Sequence, residues 1–142
     1  MKVAKEQIVG AVAAVDWLLS QSDAGLEKEF RRRADRIAAH LKGLSSLETE
    51  IAIPPVANHV PHLLIRYNQE KLKISPRDVM AELRRGTPSI ELNPSTGRAT
   101  GASAGIPADV NTIVVGVWML QPGEEMIVAR RLREVLEKAA RG

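Results

Sequence analysis

Residues 112–141, TIVVGVWMLQPGEEMIVARRLREVLEKAAR, constrain the fold more than any other stretch of this chain. The β-branched run Ile113, Val114, Val115 and Val117 leads into Trp118, Met119 and Leu120, which predicts a strand through Leu120 buried on both faces. Gln121-Pro122-Gly123-Glu124-Glu125 then starts a helix, with Pro122 near its first turn and two carboxylates at the positive end of its dipole. Apolar residues recur at Ile127, Val128, Leu132, Val135 and Leu136, so one stripe turns inward. Arg130, Arg131, Arg133, Glu134, Glu137 and Lys138 are expected in solvent. A central strand with an amphipathic helix lying back across its sheet is the spine of a small layered domain. None of these residues points to a reaction.

Upstream, residues 1–21 predict a helix whose apolar positions (Ile8, Val9, Val12, Val15, Leu18, Leu19) run nearly all the way round. Such a helix is covered by something larger, either a preceding domain or a partner chain. Ser22-Asp23 caps a second helix with Leu26, Phe30, Ile37, Leu41 and Leu44 on its buried face, and Gly43 offers a left-handed stop. Leu47 to Ile53 alternate as a half-buried strand ended by Pro54-Pro55, and His62-Leu63-Leu64-Ile65-Arg66-Tyr67 reads as the next strand. Ser75-Pro76 begins a short helix closed at Gly86, and residues 89–92 look like a brief strand. Residues 93–111 are rich in Gly, Ser, Thr, Ala and Pro and lack periodicity, the pattern of a functional or mobile loop. The expected class is α+β: a three- to four-stranded, mostly antiparallel sheet with helices on one face, after a long N-terminal helix.

Several functions are disfavoured. The net charge is only +3 and the aromatic residues are Trp17, Phe30, Tyr67 and Trp118, so no stacking platform adjoins a basic patch and nucleic-acid binding is not expected. There is no cysteine, hence no thiolate nucleophile or zinc-thiolate site. The apolar run 8–15 falls short of the roughly 20 residues that span a bilayer. Glu6 and Asp16 flank it where a signal peptide would be basic, so a cytoplasmic location off the membrane is expected.

The polar candidates are few. Asn58-His59-Val60-Pro61-His62 brings two imidazoles together, but a metal needs three or four ligands and none is added nearby; His40 is expected on the solvent face of the second helix. The histidines are therefore read as hydrogen-bonding groups for backbone or substrate. Arg84 and Arg85 sit at a helix end before a strand, suited to carboxylate or phosphate recognition and equally to complementing the helix dipole. Gly97-Arg98-Ala99-Thr100-Gly101-Ala102 lacks the strand-before, helix-after setting of a phosphate cradle. Lys2 and Lys5 read as a charged helix start, and no catalytic residue and no metal site is assigned.

Four segments in order carry a resemblance: Met1-Lys2-Val3-Ala4-Lys5-Glu6-Gln7-Ile8-Val9-Gly10, Pro54-Pro55-Val56-Ala57-Asn58-His59-Val60-Pro61-His62, Leu83-Arg84-Arg85-Gly86-Thr87-Pro88-Ser89-Ile90 and Val117-Trp118-Met119-Leu120-Gln121-Pro122-Gly123-Glu124-Glu125. Together the chain resembles fold-type-I pyridoxal-phosphate enzymes similar to bacterial seryl-tRNA(Sec) selenium transferase, a group that includes D-glucosaminate-6-phosphate ammonia-lyase-like proteins. The match covers essentially the whole chain but only the C-terminal part of such an enzyme. It implies a connecting helix over residues 1–21 and a small C-terminal domain over residues 22–142. The cofactor-binding large domain, with its Schiff-base lysine, would lie before Met1, and Lys5 matches a lysine downstream of the cofactor lysine. The resemblance further implies pyridoxal phosphate in the complete enzyme, no covalent cofactor on this chain, and substrate contacts from His59, His62, Arg84 and Arg85. Selenium transferases carry an arginine shortly after the proline-containing strand start, where this chain has Glu91, Leu92 and Asn93. The expected function is the small domain of a lyase or transferase for an amino-bearing substrate, in a homo-oligomer, inactive as this fragment. The alternative is a non-enzymatic α+β module that oligomerises through its first helix. A weaker one is a small-ligand sensor using the 93–111 loop.

Overall fold

A computed structural model describes residues 3–44, 46–55, 59–100 and 105–141. Met1 and Lys2, Val56-Ala57-Asn58 of the histidine loop, and Gly101 and Ala102 of the glycine-rich segment lie outside the described residues. The elements are α1 (Lys5–Ser20), α2 (Asp23–Leu41), β1 (Leu47–Ala52), β2 (His62–Tyr67), α3 (Gln69–Leu72), α4 (Pro76–Arg85), β3 (Thr112–Gly116) and α5 (Glu124–Arg141). The strands form one sheet in the order β1-β2-β3, antiparallel throughout, with Ile51 opposite Leu63 and Leu63 opposite Val115. The α+β class and the leading helix expected from the sequence are both present.

Local chemistry sets the boundaries. The Ser22 hydroxyl accepts from the Gly25 N–H at 3.1 Å and the Ser75 hydroxyl from the Asp78 N–H at 3.2 Å, each satisfying a donor that a helix start leaves free. The short α3 has no apolar period to announce it; the Asn68 side chain caps it, accepting from Glu70 N–H at 2.8 Å. Before α5 the chain turns at Gly123, whose φ of +92° suits a residue without Cβ.

The sheet is covered on both sides. Leu63, Ile65, Ile113 and Val115 meet Ile37 and Leu41 of α2, Val79 and Leu83 of α4, and Leu132 and Leu136 of α5 in the main core. On the other face Leu64 and Val114 pack with Ala108, Ile106 and Ala52. That second cover comes from the aperiodic 93–111 stretch, tied to β3 where Val114 N–H donates to Thr96 Oγ1 at 3.1 Å and Gly97 N–H to the Thr112 carbonyl at 2.9 Å.

Four expectations need correction. Residues 89–92 are not a strand. The Ile90 N–H turns back to the Leu83 carbonyl at 3.1 Å and the Ser89 hydroxyl to the Arg84 carbonyl at 2.7 Å, so this segment spends its donors on the end of α4. The predicted strand through Leu120 stops at Gly116, after which Trp118 and Met119 are exposed in a turn. His40 is half-buried rather than on a solvent face, and its carbonyl accepts from Arg133 at 2.7 Å. Arg131, Arg133 and Glu137 are likewise half-buried, not fully in solvent.

Helix α1 has no buried residue at all, and Ile8, Val9, Val12, Val15, Leu18 and Leu19 are each more than half exposed. Its apolar surface is uncovered by the other described residues.

Candidate functional site

His62 opens β2, directly opposite Ala52 on β1 and Gly116 on β3. Alternation along the strand sends Leu63, Ile65 and Tyr67 toward the helices and His62, Leu64 and Arg66 to the face covered by the 93–111 stretch. The imidazole is only 8% exposed, with Nδ1 at 2.8 Å from the Val60 carbonyl. A carbonyl only accepts, so Nδ1 carries the hydrogen and Nε2 is left as an acceptor in the neutral ring. His59, three residues earlier, is exposed.

Arg84 and Arg85 lie in the last turn of α4, both in solvent. Neither is free. Arg84 grips Glu91 through both carboxylate oxygens, its Nε at 2.7 Å, and Arg85 pairs with Glu82. The hydrogen bond with Glu91 raises the Arg84 pKa, and the same bond lowers that of Glu91. Glu91 thus has a partner at the point where the sequence departs from the selenium-transferase pattern.

His62 and the arginine pair come from elements on opposite sides of the sheet. Asn93 N–H bonds the Val114 carbonyl and Gly97 N–H the Thr112 carbonyl, so the chain runs antiparallel to β3 and Glu91 lies toward Gly116, the partner of His62. His62 belongs to the loop-covered face, whereas Arg84 and Arg85 end α4, whose Val79 and Leu83 pack on the helix-covered face. A cleft of about 230 Å³ between Ser89, Ile90, Glu91, Leu120, Glu124 and Ile127 adjoins the Arg84–Glu91 pair.

Three groups near this end were not singled out from the sequence. Arg33, 8% exposed, donates to the Leu120 carbonyl, and to that of Val117 at 3.4 Å. Its Nε holds Glu29 at 3.0 Å and its guanidinium lies 5.6 Å from the Phe30 ring centroid. Arg33 therefore ties α2 to the turn that presents Trp118 and Met119. Trp118 itself, read as strand core from its β-branched neighbours, is 50% exposed. Glu125 is fully buried, accepting from Gly123 N–H at 2.9 Å and from Arg36 at 2.7 Å. Burial alone would raise its pKa, but its own and the Gly123 N–H, then Arg36 and Arg32, outweigh that and hold it below the ordinary value. At the opposite end of the sheet the buried Tyr67 hydroxyl has no partner among the described residues, and burial, then Asp78, pushes its pKa up.

Cofactor chemistry finds little footing on these residues. The described lysines, Lys5, Lys28, Lys42, Lys71, Lys73 and Lys138, are all exposed, so none is desolvated as an imine-forming amine requires. Among the described residues no cluster of three or more His, Asp or Glu could hold a metal ion, and no helix is long and apolar enough to cross a membrane.

Helices over one face of a three-stranded antiparallel sheet, a loop cover over the other and an unpartnered leading helix define the class of domain. Among solved structures the same fold occurs in D-glucosaminate-6-phosphate ammonia-lyase, with a TM-score of 0.69 and 23% identity. The match covers 99% of this chain and 34% of that one, so this chain spans about a third of the length of the protein it resembles. At that identity the likeness is one of fold. No family model matches the chain, and no curated protein matches it.

Proposed function

We propose that this chain is the small C-terminal domain of a pyridoxal-phosphate-dependent lyase or transferase acting on an amino-group-bearing substrate. The observation that carries the reading is the fold likeness itself, which runs through nearly all of this chain and only a third of the ammonia-lyase chain. In this reading the other two-thirds correspond to a cofactor-binding domain that covers α1, and the wholly exposed apolar α1 supports it. Pyridoxal phosphate would supply an electron sink at the substrate Cα when bound. In this reading its covalent attachment belongs to a lysine of the larger domain.

The part proposed for this chain is closure over the substrate. His59 and His62 would offer imidazole hydrogen bonds from the loop-covered side, and Arg84 and Arg85 their guanidiniums from the helix side. Arg84 comes with Glu91 already on it, so a substrate carboxylate or phosphate must compete with that carboxylate. Selenium transfer is the narrower form of this reading, and a cytoplasmic homo-oligomer its proposed setting. A second reading, a non-enzymatic module that associates through α1, draws on the same exposed helix.

The coding sequence upstream of Met1 separates the two. A frame encoding a strand-rich domain, with a lysine about one helix and one strand before Met1, is expected; a promoter there favours the interaction module. The complete product should show a visible, borohydride-reducible imine band with pyridoxal phosphate. The 142-residue chain alone should show none. A stoichiometric reducible band on this chain alone overturns the assignment of the lysine to another domain. In the complete enzyme His59→Ala, at an exposed site, should lower turnover without moving the melt; unchanged turnover removes His59 from the substrate.

A further inference from the structure

The two edges of the sheet differ. Beyond β3 the edge is closed: Asn93 N–H donates to the Val114 carbonyl at 3.2 Å, Gly97 N–H to the Thr112 carbonyl at 2.9 Å and Val114 N–H to Thr96 Oγ1 at 3.1 Å. Beyond β1 it is open. An antiparallel strand turns the backbone groups of alternate residues away from its neighbour. Along Leu47–Ala52 no such outward group has a hydrogen bond among the described residues. Glu48, Thr49 and Glu50 stand exposed in a row along this edge. An open row of donors and acceptors is a template for one more strand.

The side chains decide which strand fits. Glu48 pairs across with Arg66 and Glu50 with Leu64, which places both glutamates on the loop-covered face. Leu47, Thr49 and Ile51 belong to the helix-covered face. Arg66 is already engaged with Glu50 and the Pro107 carbonyl, and Glu48 is in no ion pair among the described residues. A cleft of about 970 Å³ borders this end of the edge, lined by Glu48, Glu70 and Asp109 together with Arg66 and Lys71. With Arg66 spent on Glu50, one lysine faces three carboxylates. The corner is therefore acidic, and it is roomy enough for a long basic side chain.

A second copy is the wrong occupant. β1 set against β1, with both helix layers on one side, brings Glu48 and Glu50 against their own equivalents, and like charges directly opposite are destabilising. A strand with Lys or Arg opposite the two glutamates inverts that sign. Its intervening residues would extend the half-buried apolar rim of Leu47 and Ile51, which β-branched side chains suit.

We propose that the open edge of β1 is a docking site for an extended peptide segment that alternates basic and β-branched residues. The segment adds a fourth strand to the three of the sheet. Its basic side chains lie beside Glu48 and Glu50, and the one nearest Glu48 enters the cleft toward Glu70 and Asp109. Main-chain bonds to β1 supply affinity, and the alternation supplies specificity.

The test uses the full 142-residue chain and the labelled, end-capped peptide TVKVKVT, with TVEVEVT as the charge-reversed control. Fluorescence anisotropy should show saturable binding of the basic peptide and at least about tenfold weaker binding of the acidic one. Bound peptide should slow hydrogen exchange at alternate β1 amides and leave the β3 amides, already bonded, unchanged. Two N-methylated forms of TVKVKVT, modified at the valines or at the lysines, keep the charge. Only one of them blocks the ladder, so one should bind and the other should not. Glu48→Lys, at an exposed position, should weaken TVKVKVT and strengthen TVEVEVT with an unchanged melt. No saturable binding, equal binding of the two N-methylated forms, an unaltered preference in Glu48→Lys, or β1 amides that exchange as before overturns the proposal. Protection of the β1 amides without peptide, rising with protein concentration, would make the edge an interface between copies and overturn it as well.

Discussion

Helices α1 and α5 are nearly equal in length, 16 and 18 residues, and their fates are opposite. From Ile8 to Val15 α1 carries no charge, with apolar side chains pointing every way, yet none of its residues is buried. In α5 the apolar residues are confined to a stripe, and Val128, Leu132, Val135 and Leu136 all enter the core between α2 and α4. Hydrophobic content alone does not seat a helix on a small sheet. A stripe does, because one face of the sheet accepts only one face of each helix, and here α2, α4 and α5 already fill it.

The largest effect is expected at Leu132, which is fully buried at the heart of α5. Leu132→Ala should cost about 2–5 kcal/mol in urea unfolding, whereas Val12→Ala on α1 should leave the monomer's stability unchanged. A comparable loss at Val12 would mean that α1 packs onto its own body in solution, and the contrast would collapse.

Next comes association. Covering α1 gains roughly 1.5–3 kcal/mol for each large aliphatic side chain it buries, enough for two such helices to pair against the entropy of association. The isolated chain should therefore self-associate at micromolar concentration. Val12→Glu with Leu19→Glu should return it to a monomer with the sheet intact. Light scattering that finds the unmodified chain monomeric would show that α1 needs a different cover, such as a larger domain.

These two regions also mark what the sequence alone could disclose. The strand and helix of the C-terminal third were legible because β-branched residues and a helical stripe each leave a period, and α1 announced its missing partner by having none. The end of β3 was misread because Val117, Trp118 and Met119 look like more strand. Two distant carbonyl bonds from Arg33 hold that turn, and sequence spacing carries no trace of them. Residues 89–92 failed as a strand because their donors return to α4, a choice made by tertiary geometry. Among the candidate site residues, the histidine pair was visible as a local cluster. Glu91, which holds Arg84, is a common residue type recognised only through its partner.

The ion pairs extend the comparison to electrostatics. Glu125→Gln, at a fully buried carboxylate joining α5 to α2, should cost about 1–3 kcal/mol. Hydrogen bonds from Arg32 and then Arg33 hold the pKa of Glu29 at about 2, against an ordinary 4.5, and Glu125 is also depressed. A folded-state pKa below the unfolded one stabilises the fold above the unfolded value, and that stabilisation is lost as pH falls through the folded value. The melting temperature should therefore decline as pH drops from 4.5 toward about 2. The decline should be flatter in a Glu29→Gln, Glu125→Gln double variant. An equal slope in both proteins would place the acid sensitivity in other groups. Glu29 is about a third exposed, so solvent screening reduces its share relative to Glu125.

The smallest effect is expected at the Arg84–Glu91 pair, whose side chains are 61% and 58% exposed. Its geometry is as close as that of the Arg36–Glu125 pair, but water competes for both groups and neither one is stranded when the other is removed. Glu91→Gln should leave the urea midpoint unresolved from that of the unmodified chain, at low and at high salt. The same substitution should change anion binding, because it releases a guanidinium held by both oxygens of a carboxylate. Phosphate titrated against the ¹⁵Nε–H signal of Arg84 should bind more tightly in Glu91→Gln than in the unmodified chain. If instead Glu91→Gln destabilises the fold as much as Glu125→Gln does, this exposed pair is a structural fastening. Arg84 would then have no place in substrate recognition.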